Sequence, residues 1–457
     1  MRKFSVITTI ICLTATFSMC RKAVPLSDDD YDERLAGGMA TIFDETSKAF
    51  SHAVEGMNAT DELEHERGDA AFEQTFVSAP APINSGLGPI FNNVSCISCH
   101  HNDGKGTPTA GTVNSSLLFR ISGDGTNEFG GPSAVSGYGG QLQDVAIFGK
   151  QPECKVQIVY TDNAVTYPDG SKITLRKPAY TIINSYTTLP SHYSLSPRLA
   201  PPIFGLGLLE NIPESTLLSY ADENDADGDG ISGRANYVYN TQSKQMEIGR
   251  FGLKANMPKI AVQVAGAYQQ DMGVTSSIFP QESSWGQPQL DNLKDDPELH
   301  DTTLRSVIFY IKSLGVPARR NVTLPEVVAG KKLFTQINCS GCHIPVVRTG
   351  VDVTLAAISN QRIQPFTDLL LHDMGSDLAD GYIDFKANGK EWRTAPLWGI
   401  GLFEKTNGTP YYLHDGRART IEEAILWHGG EAEKSKNQFM SLTKAERNNL
   451  VSFIRSL

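Results

Sequence analysis

Two stretches of the chain carry the same helical pattern of apolar positions. In 443–457, Leu450, Phe453, Ile454 and Leu457 fall at i, i+3, i+4 and i+7, one face of a helix. Thr443, with Glu446 three residues on, forms a capping box that sets its start. In 301–314, Leu304, Val307, Ile308, Ile311 and Leu314 make the same stripe, and Tyr310-Ile311-Lys312-Ser313-Leu314 echoes Phe453-Ile454-Arg455-Ser456-Leu457. Gly330-Lys331-Lys332-Leu333-Phe334 begins another helix, and order is expected from about residue 62. Val156 to Tyr160 and Ile173 to Leu175, around the turn Pro168-Asp169-Gly170, read as short strands. The prediction is a mainly α chain of two tandem halves, 61–320 and 321–457, the first lengthened by an insertion at about 155–257.

The N-terminus has a different pattern. Arg2 and Lys3 precede a short apolar run, Phe4 to Phe17, which reads as an export signal over 1–20. Cys20 at its end resembles a lipoprotein box, which would place the protein in the periplasm or on the outer face of a bacterial membrane, with the lipid as the sole anchor. Residues 21–60 are polar and acidic and read as a linker. The net charge of −11, with no basic cluster, excludes nucleic acid and suits a basic partner such as a cationic cytochrome.

Four of the seven cysteines lie in two copies of one pattern, Cys96-Ile97-Ser98-Cys99-His100 and Cys339-Ser340-Gly341-Cys342-His343. C-x-x-C-H lets two thiols bind the vinyl groups of a haem while the histidine ligates the iron. A four-cysteine zinc site would leave both histidines unexplained, and a thioredoxin-type pair would need only one copy. Two covalently bound haems c are therefore expected. Cys12 lies in the signal, and Cys154 reads as a buried or surface residue. Asp225-Ala226-Asp227-Gly228-Asp229-Gly230-Ile231 has the acidic spacing and glycine of a calcium loop, with the Ile231 carbonyl as a further ligand. Asn236 stands where an EF-hand would have its closing glutamate.

Thr367 to Gly375, Glu391 to Gly399, Leu413 to Arg419 and Ala424 to Glu431 stand out as motifs, along with Ser196-Pro197-Arg198, Gly205 to Glu210 and Asp227 to Arg234. From about residue 70 onward the chain resembles a family of bacterial di-haem oxidoreductases. That family lies near the di-haem cytochrome c peroxidases and MauG-type enzymes, and some members are labelled thiol oxidoreductases. The resemblance implies two cytochrome c-like domains, each with its first and last helices crossed over the haem. It also implies that one haem meets peroxide while the other passes electrons.

The resemblance places the second haem's sixth ligand on the helix after Leu413-His414-Asp415-Gly416, where this chain has His428. Met374 and Met440 are the alternatives. For the first haem it implies a distal glutamine followed ten residues later by a glutamate, a spacing shared by Gln143 and Glu153, with Gln141 beside them. His192 stays open as a sixth ligand there. Arg393, Arg417 and Arg419, and His372 and His414, are expected to be structural or to pair with haem propionates. Trp398 and Trp427 read as core or as neighbours of the second haem. The expected activity is peroxide reduction with electrons from a small donor, such as a c-type cytochrome, or MauG-like oxidation of a protein partner. A non-enzymatic electron carrier is the alternative.

Overall fold

The computed structural model describes residues 31–112 and 115–457. The export segment and Cys20 lie outside the described residues.

The predicted helices form, and they pack in two pairs. On Asp301–Ser313 the residues Leu304, Val307, Tyr310 and Ile311 are buried, as the period requires. Ala59–Glu73 crosses this helix at Gly68, where a Cβ would lie 2.1 Å from the Ser306 carbonyl oxygen. In the second half Pro325–Gln336 crosses Lys444–Ser456 at Gly330, where a Cβ would lie 2.0 Å from the Asn449 carbonyl oxygen. At both crossings only hydrogen fits between the helices. Asn58 accepts from the N–H groups of Thr60 and Asp61, and Thr443 and Glu446 complete the predicted capping box. Each C-x-x-C-H motif follows the opening helix of its pair.

The expectation of a mainly α chain is met only in part, for helix covers under a third of the described residues. The remainder consists of loops and eight two-stranded sheets among the described residues. The 41 glycines and 24 prolines interrupt helical periods through much of the chain.

The largest sheet is the hairpin Lys155–Thr166 with Lys172–Ile183, paired from Lys155↔Ile183 to Thr166↔Lys172. The turn falls where predicted, with Gly170 at φ 81°. Both strands are longer than their apolar cores suggest, because polar residues such as Thr161 and Lys177 continue the ladder. The hairpin lies along the second half. Tyr180 donates to Asp415 at 2.9 Å, Arg419 donates to the Thr174 carbonyl at 2.7 Å, and at the tip Asp169 pairs with Arg447 at 2.7 Å.

The stretch predicted as a linker is also structured from residue 34. Ala36, Ala40, Ala49, Phe50 and Val54 are buried among its acidic residues. Phe50 stacks on Phe204 with ring centres 4.3 Å apart. Thr41 and Ile42 pair in parallel with Val316 and Pro317, in the segment joining the two halves. These partners are so distant in sequence that no local period reveals them. Residues 34–457 form one compact unit.

Candidate functional site

At the second motif Asn338 adopts the left-handed conformation, which asparagine tolerates, and turns the chain into Cys339–Gly341. His343 donates from Nδ1 to the Phe366 carbonyl at 2.9 Å. His428 ends the helix Ile421–Trp427, which Thr420 caps, and donates from Nδ1 to the Ala424 carbonyl at 2.7 Å. A carbonyl can only accept, so in both rings Nδ1 carries the proton and Nε2 keeps its lone pair. Neither Nε2 has a hydrogen-bond partner among the described residues. Burial pushes His343 down to about 4, with His428 contributing, and burial also lowers His428. Both rings are therefore neutral near pH 7, the form that ligates metals. Both rings are half-buried.

The neighbouring histidines are differently engaged. His372 bonds Asp368 at 2.8 Å and Glu431 at 2.7 Å, and Cys342 Sγ lies 3.5 Å from its Nδ1. With both nitrogens on carboxylates it cannot ligate a metal. His414 stacks on Trp392 with centres 3.8 Å apart. Arg417 is held by Asp415 and lies over Trp427, and Arg419 pairs with Glu423. Arg393 differs from both. It donates only to the carbonyls of Gly252 and Thr394 and has no carboxylate within ion-pairing distance among the described residues. Trp398, Met374 and Met440 pack with the main core.

At the first motif Ser95 caps the turn Cys96–Cys99. His100 donates from Nδ1 to the Pro201 carbonyl at 2.8 Å, and burial lowers it to about 4. It too is half-buried. Phe72 packs beside its ring and Tyr310 beside Phe72. Among the described residues no hydrogen bond or ring contact joins it to a second histidine. The one histidine whose charge acts on it is its neighbour His101, and His192 is exposed at the surface.

Gln141, Gln143 and Glu153 do come together. Gln141 and Gln143 both donate to the Gln270 carbonyl, at 3.1 and 2.7 Å. Glu153 accepts from the Gln143 backbone N–H at 2.6 Å and from Gln287 at 2.9 Å. Burial pushes its pKa up to about 8. It has no accessible surface and both its oxygens are engaged, so it braces the Gln143 segment. A carboxylate beside the motif is Asp271, which carried no sequence signal. It is half-buried, and its charge acts on Cys96 and Cys99. Cys154 is buried next to Glu153.

In the acidic loop the carboxylates that cluster are Asp222, Asp225 and Asp227. The Asp229 side chain instead accepts from the Ile231 N–H at 2.8 Å and from Asn338 at 3.4 Å. Ser232 donates through its N–H and hydroxyl to Glu431, at 2.9 and 3.0 Å. The loop is thus fastened to the second motif and to the residues after His428.

The residues at both motifs fit a haem, with a free thiol pair and a neutral imidazole presenting Nε2. Among solved structures the chain is similar to Kuenenia stuttgartiensis hydrazine synthase, at 14% identity and TM-score 0.36 over 100% of both chains. It is also similar to a MauG-like protein associated with microbial copper homeostasis, at 14% identity and TM-score 0.28, over 56% of this chain and 89% of that one. No curated protein matches. The family described as "Di-haem oxidoreductase, putative peroxidase" matches residues 31–457. With that match across nearly its whole length, the chain belongs to the di-haem oxidoreductase family.

Proposed function

We propose that this protein reduces peroxide at its first haem with electrons that pass through its second. Cys96 and Cys99, and Cys339 and Cys342, would hold the two haems covalently, with His100 and His343 as axial ligands and His428 as the second ligand of the C-terminal one. Haem bound there supplies one-electron redox chemistry and, where one axial position is free, a place for peroxide. The observation that carries the reading is the asymmetry of the histidines. The charge of His428 acts on His343, whereas among the described residues the one histidine acting on His100 is its neighbour His101, and Gln141, Gln143 and Asp271 form a polar group on the frame of the first motif. Arg393 offers a cation to a haem carboxylate. The electron donor would be a small c-type cytochrome, drawn to the negative net charge.

The test is an absorption and electron spin resonance spectrum of the purified protein. One high-spin and one low-spin haem, with peroxide consumed when a reduced donor is supplied, is the expected result. Two low-spin haems inert to peroxide would mean an electron carrier. Export through residues 1–20 and lipid at Cys20 belong to the same proposal. Among the described residues no helix is long and apolar enough to cross a membrane.

Calcium at the acidic loop is a further part of the reading, with Asp222, Asp225 and Asp227 as the oxygen donors. An ion that binds the folded loop and not the unfolded chain raises stability by mass action. A chelator is expected to lower Tm by a few degrees in the native protein and by nothing in Asp227→Ala. Equal Tm values with and without chelator would remove calcium from the account.

A further inference from the structure

We propose that Asp271, not Glu153, is the acid–base group that faces peroxide at the first haem. The assignment rests on the peroxide reading above and names the residue that serves it. Asp271 lies at the end of the helix Ile260–Met272, fixed to the segment that leads into the first motif. Its backbone carbonyl accepts from the N–H groups of Asn92 at 2.8 Å and Asn93 at 3.0 Å. Asn93 in turn donates to Cys99 Sγ at 3.1 Å. The Asp271 side chain is therefore built onto the same frame as the two thiols.

Its place beside the thiols is what suits it to the task. The Asp271 charge acts on both Cys96 and Cys99. The His100 side is occupied by Phe72, Tyr310 and the Pro201 carbonyl. Asp271 thus stands beside the two thiols, on the frame that carries them. Its Oδ1 accepts from Gln141 at 2.7 Å, while Oδ2 has no hydrogen-bond partner among the described residues. Gln141 is held in turn by the Asn92 side chain at 2.8 Å. Arg120 is the charged group facing Asp271, and Asp144 is the other carboxylate that acts on Cys99. Burial raises the Asp271 pKa, against Gln141 and Arg120, which lower it.

The chemistry asked of it is a proton transfer. The carboxylate takes a proton from one oxygen of hydrogen peroxide and gives it to the other, which leaves as water when the O–O bond breaks. Two electrons from one-electron donors and two protons from solvent complete the balance, giving two waters per peroxide.

Cyanide supplies a readout separate from turnover. It arrives as HCN and must lose its proton to a base before it ligates iron. In the haem-loaded protein, Asp271→Asn is expected to slow cyanide binding and the peroxide reaction by about 100-fold, as for a lost general acid–base group. The absorption spectrum should be unchanged, and Asp271→Glu should recover part of the rate. Glu153→Gln should bind cyanide at the native rate while losing thermal stability. An Asp271→Asn protein as fast as the native one, or the loss appearing in Glu153→Gln instead, overturns the assignment. A native protein that binds no cyanide at either haem would bring down the peroxide reading itself and the assignment with it.

Discussion

Replacing His428 by alanine should convert the second haem from low-spin to high-spin and let it bind cyanide. The native His428 ring is neutral, fixed through Nδ1 to the Ala424 carbonyl, and free at Nε2 near His343. Removing it takes away one of two imidazoles that donate electron density to the iron. The potential of that haem should rise, since axial ligands are a main lever on it. The first haem should keep its spectrum, because none of the groups named at the first motif bonds His428. Turnover should nonetheless drop on the order of tenfold or more, as electrons enter by a mistuned relay. An unaltered low-spin spectrum in His428→Ala would transfer the ligand role to Met374 or Met440.

His372→Leu should be among the most destabilising single changes in the protein. His372 is buried between Asp368 and Glu431. Burial alone would lower its pKa, but hydrogen bonds to the two carboxylates raise it well above 6.5. Leucine would leave two carboxylates facing each other without a cation, at a cost of about 3–5 kcal/mol for breaking a buried ion pair. The native ion group also predicts a pH dependence. The folded pKa exceeds the unfolded value of 6.5, so the stabilisation is complete below that pH and fades as pH rises through the folded pKa. Denaturant unfolding at a series of pH values would show this decline in the native protein and its absence in His372→Leu. Parallel curves for the two proteins would mean that His372 is not held as an imidazolium.

The sequence disclosed whatever is local. Both C-x-x-C-H turns, the closing helices and the Thr443–Glu446 cap depend on residues a few positions apart, and all appear at the expected places. The glycines at the two crossings, Gly68 and Gly330, could not be read as contacts, because a helix period says nothing about its partner. Asp271 escaped notice for a related reason. A single aspartate at a helix end has no pattern, and only the fold brings it beside Cys96 and Cys99. Glu153 was found by its spacing from Gln143, and the two do meet. Spacing does not disclose which way a carboxylate faces, and Glu153 faces inward. In the acidic loop, Asp222 lies before the repeat that marks a calcium site, yet it turns back to join Asp225 and Asp227.

The hairpin that lies across the second half also sets an order of events during folding. Asp169 and Arg447 are 278 positions apart, and Tyr180 and Asp415 are 235 apart. Contacts of such separation raise contact order and form late. Until the last helix is made, the hairpin has no surface to rest on, and its strand edges are open to other chains. Cys339 and Cys342 lie between the hairpin and its anchor in chain order. If the second haem is attached at Cys339 and Cys342 as proposed before the last helix docks, the strap would still be loose at that point, and the pairing of Arg447 with Asp169 would close it over a finished centre.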